Sequence, residues 1–514
     1  MSNLPLLTLL TLIPLAGGVL VAFGSGPKLA RFLALVTTLL SLAVAVLLWA
    51  TFDTTGIGMQ FVERHAWAPS LGIEYHLGID GLGLLMVMLT AIVIPFALAA
   101  PGKEQQNPKL YFSLILLLEA GLFGTFTALN FVHWFIFWEL SLIPAFFLIK
   151  VWGGSQRTRA AYQFFVYTMV GSVTMLLAFL AIYAATGSFD FAQLADMARS
   201  GKLSSALFSS VGGTLFKTEN GLITAVFFGV FLGFAVKVPL IPFHTWLPSA
   251  YAEAPTGTSM ILTGVMSKMG VYGFLRILLP IFPAQVRALQ TPLLWLAVIT
   301  IVFSAAAAFA QKDLKRVVAY SSINHLGYCL LGMFAAVQLT DATAAWTNEK
   351  AAALNGVMLQ MFNHGLTASA LFYFVGLLED RGGCRGLNDF GGLRKVAPVF
   401  CGLMGITVFA SVGLPGLNGF VGEFLIFKGT FALAPWSAAI SVLGLLFTAI
   451  FFLTLLQRVF SGPLPARWIS WQDMTLAQRL TVVPVIALIF VLGIYPRLLI
   501  DVVNPTVLQM VKQF

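Results

Sequence analysis

Residues 233–248 read GFAVKVPLIPFHTWLP, and residues 409–424 read FASVGLPGLNGFVGEF. Both stretches place proline inside an otherwise apolar, helix-like run: Pro239 and Pro242 in the first, Pro415 in the second. Proline removes a helix hydrogen bond and clashes with the preceding turn. In lipid, the freed carbonyl groups need partners from protein or from a water-filled cavity. The two stretches therefore predict two broken membrane helices that face the protein interior.

The composition of the whole chain also indicates a membrane protein. Of its 514 residues, 59% are hydrophobic and only 10% are charged, whereas soluble proteins carry about 25% charged residues. Apolar runs of about 20 residues, long enough to cross a hydrocarbon core as helices, recur along the sequence. The net charge of +9 comes mainly from cations in short loops, so membrane topology explains it better than nucleic-acid binding. The fold class predicted is an all-α polytopic membrane protein.

The apolar runs predict about fourteen transmembrane helices. They lie near 4–24, 29–52, 80–101, 110–130, 131–150, 162–184, 221–247, 255–280, 291–310, 316–338, 350–378, 396–430, 436–460 and 480–500. The breaks fall in spans seven and twelve, which are five apart, and this offset predicts two inverted five-helix repeats, spans 4–8 and 9–13. The prolines could instead kink these helices for packing alone. The predicted divisions are N-terminal helices at 1–109, a first repeat at 110–282, a second repeat at 283–461 and a C-terminal helix at 462–514.

Loop charges predict the orientation of the chain. Lys and Arg are more frequent in the loops on one side of the predicted spans than in those on the other. Cytoplasmic loops carry this excess in membrane proteins. We therefore expect both termini to lie outside the cytoplasm, most simply in a bacterial inner membrane.

Ionisable residues inside the predicted spans are the candidate functional groups. A charged side chain at the bilayer centre costs at least about 2.5–3.5 kcal/mol, so it is a functional candidate by default. Six such residues lie at middle depths of six different spans: Glu139, Lys237, Lys268, His325, His364 and Glu423. A row of titratable groups at one depth is what a lateral proton path requires.

Glu139 and Lys237 suggest how such a path is controlled. Beside Glu139, Lys237 would keep its proton, whereas separation of the two would let desolvation favour release. Lysine suits this role because its proton affinity changes readily on burial. A static ion pair that fixes helix register is the alternative interpretation.

The other candidates also have structural interpretations. Lys268 could pair with a further carboxylate, Glu423 could cap the broken helix, and the two histidines could each be satisfied by a hydrogen bond. His244, near the membrane surface, and Glu119, a lone carboxylate in span four, are assigned supporting places. No two histidines share a helix face at ligand spacing, so no metal site is expected.

Five blocks of sequence, in chain order, carry a family resemblance. They are FWELSLIPAFFLI at 137–149, KVPLIPFHTWLPSAYAEAPTGTSMILTGVMSKMGVYGFLR at 237–276, AQKDLKRVVAYSSINHLGY at 310–328, QMFNHGLTASALF at 360–372 and GLPGLNGFVGEF at 413–424. The chain resembles, over essentially its whole length, the antiporter-like membrane subunits of respiratory complex I. The resemblance implies redox-driven proton translocation by one subunit of a proton-translocating NADH:quinone oxidoreductase.

The resemblance also implies roles for the candidates and for partners. Glu139 and Lys237 would form the coupled input pair, Lys268 and the two histidines the central relay, and Glu423 the group near the exit. The chain would hold no cofactor and no redox centre, while FMN, iron–sulfur clusters and quinone would belong to partner subunits. Its partners would be other membrane-arm subunits, including L- and N-type neighbours, together with membrane lipid and protons, with no nucleic acid.

Three other functions remain open from the sequence. They are a subunit of a multi-subunit cation/proton antiporter, a subunit of a membrane-bound hydrogenase, and a self-contained secondary transporter. Glu423 stands where the L- and N-type members usually carry lysine, and the chain ends soon after span fourteen. The resemblance implies that the first feature sets the chain apart from both members, and that the second sets it apart from the L-type member, which a long lateral helix extends.

Overall fold

The computed structural model describes residues 4–23, 26–102, 106–212, 216–341 and 343–513. Within them, thirteen helices are long and apolar enough to cross a membrane. The first part of the chain forms α1 Leu6–Phe23, α2 Pro27–Thr51, β1 Gln60–Ala68, β2 Ile73–Ile79, α3 Gly81–Leu98, α4 Pro108–Thr127, α5 Phe131–Trp152, α6 Arg157–Thr186, α7 Phe191–Arg199, α8 Lys202–Val211, α9 Glu219–Lys237 and α10 Trp246–Glu253. The second part forms α11 Thr256–Ile281, α12 Pro283–Ala288, α13 Gln290–Phe309, α14 Leu314–Ala336, α15 Ala344–Gly382, α16 Pro398–Val412, α17 Asn418–Leu433, α18 Pro435–Phe460, α19 Leu476–Ile494 and α20 Arg497–Val511. The prediction of an all-α membrane protein is confirmed.

Both predicted helix breaks are present. Pro239 and Pro242 lie in the turn between α9 and α10, and Pro415 lies between α16 and α17. Gly413 and Gly416 turn the chain at the second break with φ of 82° and 91°, which glycine adopts without steric cost. The predicted twelfth span is thus two shorter helices, which accounts for thirteen long spans where fourteen spans were expected. The pairing of the breaks as inverted repeats stays a prediction.

Helix α11 departs from regular α-helical geometry, and the sequence does not predict this departure. It contains two π-helical segments, Leu262–Met266 and Phe274–Leu278. Lys268 lies between them. Such widened turns occur frequently at functional sites, since they shift backbone carbonyl groups out of their usual bonds.

Burial separates central helices from peripheral ones. Every residue in the apolar window of α15 is buried, and in the windows of α11 and α14 the buried share is 94%. In α2, α18 and α19 no more than a third of the window is buried. A helix that is apolar on all sides yet exposed fits lipid or a partner subunit around it. The centre of the protein is therefore formed by α11, α14 and α15.

Two regions between spans have structure that was not predicted. Strands β1 and β2 form an antiparallel hairpin, and α7 and α8 occupy the stretch before α9. His76 of the hairpin contacts Asp190, the residue before α7, with 2.8 Å between Nδ1 and Oδ2. Burial raises the pKa of Asp190, but the hydrogen bonds from His76 and Gln193 outweigh it and hold that pKa below its ordinary value.

Helix α20 was also not predicted. Asn355 of α15 donates a hydrogen bond to Asn504 of α20 over 2.9 Å. The Gly81 N–H donates to Thr506 Oγ1 over 3.0 Å. Helix α20 therefore fastens the C-terminal part of the chain to α3 and to the central helix α15.

Close packing of α15 on α17 yields a stability prediction. A Cβ atom at Gly429 would lie 2.4 Å from the backbone oxygen of Glu349, so Gly429→Ala forces the two helices apart. We expect this change to destabilise the purified chain by about 1–3 kcal/mol, the usual cost of overpacking. The control is Gly402→Ala, where a Cβ meets no atom within 4 Å. Thermal unfolding in detergent measures both, and equal melting temperatures would contradict the packing described.

Candidate functional site

Lys268 and His364 meet at the centre of the helix bundle. The Lys268 Nζ lies 2.8 Å from His364 Nδ1, and both side chains are buried. The ammonium also donates to the carbonyl oxygen of Thr263, in the first π-helical segment. The same carbonyl accepts a hydrogen bond from the Ser267 hydroxyl over 3.0 Å. A buried ammonium group is thus held by a carbonyl oxygen on one side and an imidazole on the other.

His325 and Glu423 continue this contact. The two imidazole rings, His364 on α15 and His325 on α14, have centroids 5.2 Å apart. His325 Nδ1 lies 3.1 Å from Glu423 Oε1 on α17. The four predicted residues Lys268, His364, His325 and Glu423 therefore form one buried row across α11, α15, α14 and α17. We call these four residues the central row.

Gln360 belongs to the same cluster and was missed from the sequence. Its side-chain Nε2 lies 3.3 Å from His325 Nδ1 and 3.3 Å from Glu423 Oε1. Gln360 precedes His364 by four residues, so both project from one face of α15. The four-residue spacing from His364 was the signal in the sequence for Gln360. A neutral amide, however, lacks the charge that marks the other residues of the row.

The Gln360 contacts restrict the protonation of His325. When the amide N–H donates to Nδ1, that nitrogen is an acceptor, and the neutral imidazole carries its proton on Nε2. When Nδ1 carries a proton, it donates to the Glu423 carboxylate instead. Within the described residues, neither His325 Nε2 nor His364 Nε2 has a hydrogen-bond partner. The two rings thus keep their Nε2 atoms available for exchange.

Lys237 occupies a second position, at the C-terminal end of α9 beside the first break. Its Nζ lies 4.8 Å from the centroid of the Trp138 ring, a cation–π contact. The Trp138 indole N–H donates to Ser172 Oγ over 3.0 Å, which orients the ring. The face of the Trp138 ring therefore gives the buried Lys237 ammonium group an electrostatic contact that an aliphatic side chain would not provide.

Glu139 follows Trp138 directly but is not bonded to Lys237. In the described parts of the chain, no ion pair within 4.0 Å joins the two, and Glu139 Oε1 has no hydrogen-bond partner. In this structure the two side chains therefore lie apart, and their roles stay predictions.

His244 and Glu119 lie apart from the central row. His244 is in the turn after the first break, with ring centroids 5.8 Å from Phe303 and 6.4 Å from Tyr320. Glu119 on α4 is fully buried, and neither carboxylate oxygen has a hydrogen-bond partner in the described structure. Their supporting roles stay predictions.

The fold and the row define a class of protein: a multi-pass membrane protein whose central helices carry connected, buried, ionisable side chains. A family model described as "NADH:quinone oxidoreductase/Mrp antiporter, TM" matches residues 128–448. The chain belongs to this family.

Two relatives and one solved structure match the chain over nearly its full length. The NADH-quinone oxidoreductase subunit M of Rhodobacter capsulatus is 38% identical, over 99% of this chain and 97% of its own length. The F(420)H(2) dehydrogenase subunit M of Methanosarcina mazei is 36% identical, over 97% of this chain and 96% of its own. A chain of respiratory complex I from Thermus thermophilus superposes with a TM-score of 0.83 at 28% identity, covering 99% of both chains.

The contact between His325 and Glu423 leads to a prediction about stability. Removing one partner of a buried hydrogen-bonded contact costs about 1–3 kcal/mol, because the other polar group is left unsatisfied, whereas replacing both partners by apolar groups can be nearly neutral. We expect His325→Leu to lower the melting temperature more than the double change His325→Leu with Glu423→Met. The solvent-accessible pair Lys428–Glu349 is the control, since such pairs contribute little.

Thermal unfolding of the purified variants in detergent gives the comparison. If the effects of His325→Leu and Glu423→Met simply add, the two side chains do not interact in the folded protein.

Proposed function

We propose that this chain is the M-type proton-translocating subunit in the membrane arm of an NADH:quinone oxidoreductase. The observation that carries the proposal is the connected row from Lys268 to Glu423, in which each side chain can release or accept a proton. Electron transfer takes place in other subunits, which hold FMN, iron–sulfur clusters and quinone. The L- and N-type subunits are the expected neighbours in a bacterial inner membrane.

The first step is transfer from Lys268 to His364. The ammonium donates its proton to Nδ1 across the 2.8 Å contact, leaving a neutral amine and an imidazolium. His364 already carries a proton on Nε2 in this state, because its Nδ1 was the acceptor. It can therefore pass on the Nε2 proton and return to a neutral ring.

The second step depends on the tautomer of His325. To accept a proton on Nε2, His325 must carry its own proton on Nδ1, where it donates to Glu423. Ring centroids 5.2 Å apart are close enough for ring rotation, or one bridging water, to join the two Nε2 atoms. Once His325 is charged, its Nδ1 proton moves to Glu423 across the 3.1 Å contact.

Gln360 then acts as a positioning residue. After the transfer, His325 Nδ1 has a free lone pair, and the Gln360 amide N–H can donate to it. This hydrogen bond stabilises the tautomer with the proton on Nε2, which cannot accept again from His364. The amide thereby opposes return of the proton until the ring has reset.

Lys237 and Glu139 control the supply of protons to the row. With Glu139 held apart, desolvation favours release of the Lys237 proton. When Glu139 closes on Lys237, the opposite charge lets the ammonium group keep its proton. Movement of one carboxylate side chain thus changes the proton affinity of Lys237.

The relatives favour this function over the alternatives. The relative named F(420)H(2) dehydrogenase subunit M supports a subunit role in a dehydrogenase complex, and its name gives an electron donor other than NADH. Full-length identity to subunit M favours a redox-driven complex over a cation/proton antiporter, although the family model covers both.

Glu139 and Lys237 provide the main test. We expect Glu139→Gln and Lys237→Met, each in the chromosomal copy, to lower NADH-driven proton uptake by membrane vesicles at least about tenfold, as for loss of an acid–base group. NADH-driven quinone reduction should fall with it, since the two are coupled. Lys150→Met, which removes a half-buried lysine near the end of α5 and outside the central row, is the matched control.

Assembly of the complex is verified in each strain by native gel electrophoresis. Parental rates of pumping in both variants would reject the proposal. Uptake of sodium in place of protons would reject protons as the transported ion.

Replacement of Gln360 should change the number of protons moved per NADH oxidised. Gln360→Met keeps the volume but removes the amide, so we expect fewer protons moved per NADH oxidised while the oxidation rate stays near the parental value. Vesicle acidification, divided by NADH consumed in the same sample, gives this ratio. The exposed glutamine Gln457, changed to methionine, is the control. An unchanged ratio in Gln360→Met would exclude a role in directing the proton.

A further inference from the structure

Three potential metal ligands converge outside the membrane spans, where the hairpin meets the segment before α7. Glu74 and His76 lie two residues apart on β2 and project from the same face of the strand. Asp190 approaches them from the other segment. One ligand atom from each of the three residues lies within 4.8 Å of the others. Since Asp190 is distant along the chain, sequence spacing does not reveal the cluster.

The backbone around these ligands is held in place. The Leu129 N–H donates to the His76 carbonyl oxygen over 2.9 Å, and the Phe191 N–H donates to the Leu129 carbonyl oxygen over 3.1 Å. Asp190 Oδ1 accepts from the Gln193 N–H over 3.0 Å, so its Oδ2 is the oxygen that faces His76. His76 and Asp190 are both buried. A ligand set fixed in this way loses little conformational freedom when it binds an ion.

Charge around the cluster is unbalanced. Glu74 and Asp190 contribute two carboxylates, and Arg64 contributes one guanidinium, 2.7 Å from Glu74 Oε2. The Arg64 side chain is 56% exposed, and exposed ion pairs contribute only about 0–1 kcal/mol. A divalent cation could therefore replace the guanidinium at small cost and match both negative charges.

We propose that Glu74, His76 and Asp190 bind a divalent cation of the zinc class, with Arg64 as the competing group. One imidazole nitrogen and two carboxylate oxygens are ligands that Zn²⁺ accepts, and three protein ligands leave a fourth position for water. Mg²⁺ and Ca²⁺ prefer an all-oxygen shell. The bound ion would join the hairpin to the start of α7.

Calorimetric titration of the full-length chain in detergent with zinc chloride tests the site. We expect Glu74→Gln to weaken binding at least about tenfold, as for loss of a group that supports a metal site. Arg64→Ala should instead tighten binding, because it removes the competitor. His65→Ala is the matched control, since it removes an exposed imidazole from the same hairpin and should leave the affinity unchanged.

Other results of the same titrations would contradict the proposal. Equal zinc affinity in the parent and in Glu74→Gln, or weaker binding in Arg64→Ala, would overturn the site. Magnesium chloride in the same titration should give no saturable binding, and equal affinity for Mg²⁺ would overturn the zinc assignment. Both variants alter solvent-accessible side chains, and their thermal unfolding without metal verifies the fold.

Discussion

Burial of the Lys268 ammonium is the constraint on which the rest of the structure depends. An isolated charge in an apolar interior is costly unless hydrogen bonds replace the lost water. Here the replacements are the Thr263 carbonyl, displaced into reach by a π-helical segment, and the imidazole of His364. Helix α11 must be irregular for the first, and α15 must lie directly against it for the second. The three most deeply buried helices therefore carry three of the four residues of the central row.

The two helix breaks have a related electrostatic effect. Lys237 is the last residue of α9, where the partial negative charge of a helix C-terminus favours a cation. Glu423 lies early in α17 and faces the second break, where a Cβ at Gly413 would come within 2.6 Å of its carboxylate. An interrupted helix offers its ends inside the membrane, whereas a continuous helix offers them only at the surface. The breaks thus make two buried charges tolerable at the two ends of the site.

The sequence was sufficient for the spans, for both breaks, for five buried ionisable residues and for the partly buried Glu139, because apolar runs, prolines and charges in lipid are strong local signals. It was not sufficient for Gln360, because a neutral amide becomes important only when folding places it between His325 and Glu423. Nor could it reveal the π-helical segments, since residues of these types also occur in regular α-helices that cross membranes. The gap between Glu139 and Lys237 depends on side-chain placement across two helices, which no spacing along the chain encodes. The hairpin and α20 were missed because they are held by tertiary contacts rather than by hydrophobic periodicity.

The central row passes from helix to helix, and this direction bears on the energetics of voltage. A membrane potential acts on a charge only as it moves along the membrane normal, where a full crossing is worth about 2.3 kcal/mol per 100 mV. In the proposed function, a proton that moves from Lys268 on α11 to Glu423 on α17 would pass between neighbouring helices, so the transmembrane field would do little work on it. Most of the electrical work would then fall on proton entry and exit, and passage along the row would stay nearly isoenergetic while the membrane is energised.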